Sequence, residues 1–165
     1  MDSFSLLALR TAAIGIGATA LLDLWLALLA RLGVPGLDFA LLGRWVGHGL
    51  HGRWRHAAIA KAAPVRGERA LGWLAHYAVG IAFAALAVAL AGRGWLQAPQ
   101  LLPALAVGAL TVLMPWLVMQ PAMGAGIAAA KTPRPAANRM RSLVNHLVFG
   151  AGLYGAAFIV ERIAS

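Results

Sequence analysis

Cysteine is absent from the 165-residue chain, and five acidic residues face fourteen Lys and Arg. The first absence excludes disulfides, thiol nucleophiles, Cys-ligated zinc and iron–sulfur clusters, while leaving the redox compartment open. The aspartates are Asp2, Asp23 and Asp38. No paired-aspartate magnesium motif can be built from them, and no Gly-rich phosphate loop of the Walker type is present. Charge of either sign is scarce, at 12% of residues, and apolar residues reach 61%. Soluble domains carry about 25% and about 45–50% respectively. A soluble fold of this length cannot hide so much apolar surface. The formal net charge of +9 leaves nucleic acid and phospholipid as partners to weigh, and the long apolar runs decide for the lipid bilayer and against nucleic acid. Arg outnumbers Lys twelve to two, a bias in keeping with a GC-rich bacterial genome.

Four runs approach the roughly 20 apolar residues that a helix needs to cross the hydrocarbon. They are Thr11 to Ala30, Ala70 to Ala91, Leu101 to Gln120, and Leu143 to Val160. The expected fold is therefore all-α, one integral membrane domain over 1–165, an antiparallel bundle of four transmembrane helices. The first run is expected to remain as a helix rather than act as a cleavable signal, because Met1, Asp2 and Ser3 lack the positive charge of a signal's n-region and the run is too long for an h-region. Arg31, Arg44, Arg53, Arg55, Lys61, Arg66 and Arg69 lie between spans one and two; Lys131, Arg134, Arg139 and Arg141 lie between three and four; Arg93 stands alone in the middle link. The positive-inside rule puts loops 31–69 and 121–142 in the cytoplasm and both termini outside, with Arg10 and Arg162 against it.

The first loop is expected to lie along the membrane surface. Asp38 can cap a short helix over Phe39 to Val46, and a second helix is expected over Arg53 to Ala62, stopped by Pro64. Trp45 and Trp54, each beside Arg, suit an interfacial anchor. Arg44, Trp45, Arg53, Trp54 and Arg55 are the candidate contacts to anionic phospholipid headgroups, against the plainer reading of positive-inside arginines in an aromatic belt. Gly47, Gly49 and Gly52 argue against a helix that presents His48 and His51 together.

Ionisable residues inside a span are costly, which makes each a functional candidate. Asp23 is eight residues before Arg31, His76 seven after Arg69, and His146 five after Arg141. At about 1.5 Å per residue all three fall about 8–12 Å inside the cytoplasmic boundary, and Gln120 closes span three on the same side. Phase agrees with depth. Glu68, Gly72, His76, Gly80 and Ala84 recur every four residues, as do Gly15, Thr19 and Asp23, then Ser142, His146 and Gly150, and less cleanly Gly108, Val112, Trp116, Gln120 and Gly124. Small-residue faces are packing faces in membranes, so the polar residues should turn inward, and Pro115 is expected to kink span three beside them.

Asp23, Glu68, His76, Gln120 and His146 then form an intramembrane site that binds a small ligand or relays protons. Alternatively, Asp23, His56, Glu68, His76 and His146 hold a divalent transition metal such as Zn, Fe, Mn or Ni for a membrane enzyme. A third reading is structural, the cluster serving as packing glue. Spare small faces also admit a homodimer.

The order Gly15-Ile-Gly-Ala-Thr19 and Asp23, Gly43-Arg-Trp45, His56, Pro64-Val-Arg-Gly-Glu68, Gly72-Trp-Leu-Ala-His-Tyr77, Met119-Gln-Pro-Ala-Met-Gly-Ala-Gly126 and Arg141 to His146 resembles a bacterial family of small four-span inner-membrane proteins catalogued as a domain of unknown function. The resemblance runs through nearly the whole chain and implies the bacterial inner (cytoplasmic) membrane. It implies no activity, cofactor or substrate.

Overall fold

The computed structural model describes residues 3–34 and 36–164. Its α-helices are α1 (Ser3–Arg31), α2 (Phe39–Gly49), α3 (Glu68–Ala91), α4 (Leu101–Thr111), the one-turn α5 (Gln120–Ala122) and α6 (Pro135–Ala164). No strand occurs among the described residues. Four helical stretches are long and apolar enough to cross a membrane: Phe4–Arg31, Glu68–Ala91, Leu101–Ala122 and Pro135–Ala164. The protein is an all-helical membrane protein, as the absence of water in the hydrocarbon requires: each backbone N–H and C=O must find its partner within the segment.

Helix ends follow local chemistry. Asp38 caps α2 by accepting from Ala40 N–H at 2.9 Å. After Arg31 the chain reverses through Gly33 at φ +78°, and Val34 N–H returns to Leu29 C=O at 2.9 Å. That left-handed stop satisfies carbonyls that would otherwise face lipid. α6 begins at Pro135, eight residues before the apolar run that reveals it. Its first turns carry Arg139 and Arg141, which hydropathy cannot count as membrane-crossing although they continue the same helix.

Span three is not a continuous α-helix. Pro115–Met119 form a π-turn, with Gln120 N–H bonding Pro115 C=O. Proline has no N–H to give to the preceding turn, and the expected disturbance at Pro115 takes the form of this widened turn.

The chain divides into two compact units, one of residues 1–36, 77–110 and 145–165, the other of residues 37–76 and 111–144. In the first, small residues set the helix spacing. A Cβ on Gly15 would come within 2.5 Å of Ile81 Cα, one on Gly152 within 3.0 Å of Ala18 Cα, and one on Gly108 within 2.8 Å of Gly150 Cα. The neighbours of α1 run antiparallel to it, since Gly15 meets Ile81 while Asp23 meets Tyr77, and Gly17 meets Ala156 while Ala18 meets Gly152. Ile14, Ala18, Ala84, Val107, Phe149 and Leu153 fill the core.

In the second unit α2 lies on the first turns of α3. Gly43 sits against the backbone of Glu68, and Gly72 against that of Phe39. Leu42, Trp45 and Ile59 form the small core beneath. α2 runs through Gly47 to Gly49, further than expected, because these glycines are needed for close approach: Val65 packs on Gly47 and the Trp54 ring on Gly49. The helix expected over Arg53 to Ala62 is absent apart from a 3-10 turn, Ile59–Lys61. Its backbone is engaged elsewhere. His56 N–H bonds Ala122 C=O at 2.8 Å and Ile59 N–H bonds Met123 C=O at 3.0 Å, a pairing that an α-helix there would forbid.

Candidate ligand site

The sequence-derived polar residues fall into both units. In the first, Asp23 accepts a hydrogen bond from Tyr77 Oη at 2.9 Å. Two residues further on, Trp25 Nε1 donates to Asn145 Oδ1 at 3.0 Å. These contacts join α1 to α3 and to α6. His146, one residue beyond Asn145, stands with its ring 6.3 Å from that of Phe83.

In the second unit, Glu68 is the counter-ion of Arg44. Arg44 Nη2 reaches Oε1 at 2.7 Å and Nε reaches Oε2 at 2.8 Å. Val65 N–H adds a third bond to Oε2 at 2.9 Å, while Arg44 Nη1 donates to the carbonyls of Ala60 and Ala62. This two-pronged pair closes the loop between α2 and α3 in the geometry that a guanidinium and a carboxylate prefer. It also accounts for the motif Pro64-Val-Arg-Gly-Glu68, whose Gly67 at φ +74° turns the chain into α3. His76 lies among rings, 4.8 Å from Phe39 and 5.9 Å from Trp73.

Among the described residues no group of three or more His, Asp or Glu side chains is placed to hold a metal ion. Of the donors expected to serve one, the Glu68 carboxylate is spent on Arg44 and Asp23 accepts from Tyr77; outside that set, His48 Nε2 lies 2.9 Å from Ala63 C=O and His51 Nδ1 2.9 Å from Gly47 C=O.

Five buried polar side-chain atoms lack a partner among the described residues: Arg10 Nε in the first unit, and Trp116 Nε1, Gln120 Oε1 and both ring nitrogens of His56 in the second. The four in the second unit are related by chain geometry. Trp116 and Gln120 stand four residues apart across the π-turn, and His56 is pinned by its own N–H to Ala122, two residues past Gln120. The His48 ring meets that of His56 edge-on at 4.9 Å. Burial, reinforced by His48 and Arg53, holds the His56 imidazole below its ordinary pKa, so it is neutral at physiological pH and offers one N–H and one lone pair. Gln120 carried a sequence signal as the polar residue that closes span three, and His56 as a candidate metal donor in the first loop. Trp116 shared the phase of Gln120 but reads as an apolar ring unless its N–H is followed.

A groove of about 600 Å³ runs through the same unit, bordered by Pro121 and Ala122 at the end of span three. Trp45 and Trp54 wall one part of it, their rings edge-to-face at 5.6 Å, with Trp45 Nε1 donating to Trp54 C=O at 2.9 Å. Arg55 also lines it, together with the apolar Met114, Leu117 and Val118. Of the five candidate headgroup contacts, Arg44 is thus engaged within the protein, while Trp45, Trp54 and Arg55 line this groove.

No curated protein and no solved structure matches the chain. A family model matches residues 12–160, which take in the Tyr77-bound Asp23, the Arg44–Glu68 pair and the His56–Ala122 junction alike, and the chain belongs to that family, described as a protein of unknown function, DUF2938.

Proposed function

We propose that the protein binds a small polar molecule within the membrane, held in the second unit by His56, Trp116 and Gln120. The observation that carries this is the set of buried polar atoms without partners at that place. Each such atom costs about 1–3 kcal/mol, and in a lipid-embedded chain water is not freely at hand to repay it. The chemistry of the ligand follows from the groups. Trp116 Nε1 needs an acceptor, Gln120 Oε1 needs a donor, and neutral His56 supplies one of each. The ligand therefore carries both a hydrogen-bond donor and an acceptor, as hydroxyls, amides and protonated acids do.

Asp23, Glu68, His76 and His146 have neighbours of their own, and in this reading they tie helices together. Proton relay is a second reading, favoured by the His48–His56 ring pair. In both readings loops 31–69 and 121–142 face the cytoplasm across the bacterial inner membrane.

Detergent-purified protein, denatured and extracted, should release a stoichiometric small molecule visible by mass spectrometry. Gln120→Leu and His56→Phe should lose that molecule while raising the thermal midpoint of the ligand-free protein, because each removes an unsatisfied group. Proteoliposomes that dissipate a proton gradient in a His56-dependent way would favour the relay instead. Absence of both results, with unchanged midpoints, refutes the assignment.

A further inference from the structure

We infer that the groove of the second unit seats one anionic phospholipid from the surrounding bilayer, its phosphate at Arg55 and an acyl chain along Met114, Leu117 and Val118. This does not depend on the ligand assigned to His56 and Gln120. The groove's volume of about 600 Å³ lies in the range of binding sites for small molecules, about 300–1,000 Å³. Its lining combines apolar side chains with aromatic and cationic ones. Met114, Leu117 and Val118 are 40%, 55% and 45% exposed on a helical stretch fit to cross a membrane, so the open side of the groove meets acyl chains. In that lining Trp54 is half exposed beside the buried Trp45, the amphipathic pairing that settles at the headgroup level.

Charge complementarity names the headgroup. Arg55 is exposed and, among the described residues, donates to no carboxylate or carbonyl. Arg44, by contrast, is neutralised inside the protein by Glu68. With five acidic residues against fourteen basic ones, the chain cannot supply counter-ions for most of its cations. A guanidinium presents a planar fork that fits a phosphate with two hydrogen bonds, and anionic lipids gather where Lys and Arg cluster beside spans. Arg55 above an apolar trough therefore selects a phosphate that carries a chain, and disfavours a zwitterionic headgroup whose ammonium the arginine repels.

Native mass spectrometry of the purified protein, given equal amounts of phosphatidylglycerol and phosphatidylcholine, tests the assignment. The wild type should retain one phosphatidylglycerol in preference to phosphatidylcholine. Arg55→Gln should reduce that preference by about tenfold or more, the worth of one charge-assisted hydrogen bond, and Arg55→Lys should keep part of it. Arg55 is exposed, so neither change threatens folding. Leu117→Trp, which fills the trough, should lower retention of both lipids with the thermal midpoint in lipid-free detergent unchanged; Val118→Phe replaces it where that midpoint falls. Equal retention of the two lipids by the wild type, an undiminished preference in Arg55→Gln, or competition by glycerol phosphate as strong as by the whole lipid would overturn the inference.

Discussion

Gly72→Ala asks whether α2 is held on α3 by backbone contact. A Cβ at Gly72 overlaps the carbonyl of Phe39 and stands 3.0 Å from Gly43 N, and a Cβ at Gly43 overlaps the carbonyl of Glu68 and stands 2.6 Å from Gly72 N. The obstacles are main-chain atoms of two helices, which cannot rotate aside as a side chain would. α2 has to lift. Alanine recovers up to about 1 kcal/mol of helix propensity over glycine. Against that gain, overpacking costs about 1–3 kcal/mol. Lifting α2 also disturbs the stacked Phe39 and Trp73 rings, now 4.1 Å apart, a pair worth about 0.5–1.5 kcal/mol. The net loss is about 1–3 kcal/mol, and for a chain of this size a midpoint shift of about 2–4 °C accompanies each kcal/mol.

Thermal unfolding of the detergent-purified protein measures this, with Gly155→Ala as the control. Gly155 has no atom within 4 Å of a built Cβ, so its substitution should leave the midpoint unchanged or raise it slightly. The double variant Gly43→Ala/Gly72→Ala should lose less than the sum of its parts, because either change alone already separates the shared interface. If Gly72→Ala melts together with Gly155→Ala, or if the two losses add in full, α2 does not rest on α3 through these glycines.

Other substitutions examine the polar contacts. Tyr77→Phe removes the donor to Asp23 and should cost about 0.6 kcal/mol, the average for a hydrogen bond between membrane helices; a loss several times larger would point to a role beyond tying α1 to α3. Glu68→Gln breaks the ion pair with Arg44 and should expose the loop to trypsin at Lys61 and Arg66, whereas unchanged digestion would show that Pro64 and α2 suffice to hold it. His56 is kept from protonating by burial, so the unfolded chain takes up a proton that the folded chain refuses. Its contribution to stability is complete above the unfolded imidazole's pKa of about 6.5 and is lost as the pH falls from there through the lower folded pKa. Replacement by Gln should flatten this part of the stability curve, and an identical acid slope in the variant would exclude His56 as its source.

Local chemistry was open to sequence analysis where a residue acts on its own neighbourhood. Asp38 announced the start of α2, Pro115 the break in span three, and the small residues around Gly15, Gly80 and Gly150 the faces that pack. Long-range pairings were not open to it. Arg53 to Ala62 has the composition of a short helix, but His56 and Ile59 bond to Ala122 and Met123, more than sixty positions along the chain. Nothing local marks that. Arg44 reads as an interfacial cation until Glu68, 24 residues away, is found against it. Depth and phase selected Gln120, yet neither separates a polar group with a partner from one without, and it is that difference that sets His56, Trp116 and Gln120 apart from the Tyr77-bound Asp23.

Orientation is the prediction that decides which leaflet supplies the lipid assigned to the Arg55 groove. Loops 31–69 and 121–142 hold seven and four basic residues against Arg93 alone in the middle link, and the positive-inside rule weighs such short loops most heavily. Arg139 and Arg141 belong to the first turns of α6, which leaves them at the same membrane face as the loop they follow. The counter-evidence weakens in the structure. Arg162 lies 3.9 Å from Glu161 and 5.1 Å above the Phe158 ring, so its charge is partly met within its own helix and presents less free charge to the membrane potential. Reporter fusions after Lys61 and Arg134 should therefore register in the cytoplasm, and a fusion at the C-terminus should register outside. Adding lysines beside Arg93 should erode that preference by raising the charge of the opposite face. A cytoplasmic C-terminus in the unmodified chain would invert every span, place Arg55 and the Trp45–Trp54 wall at the outer leaflet, and remove the cytoplasmic surface charge as a source of the lipid's preference.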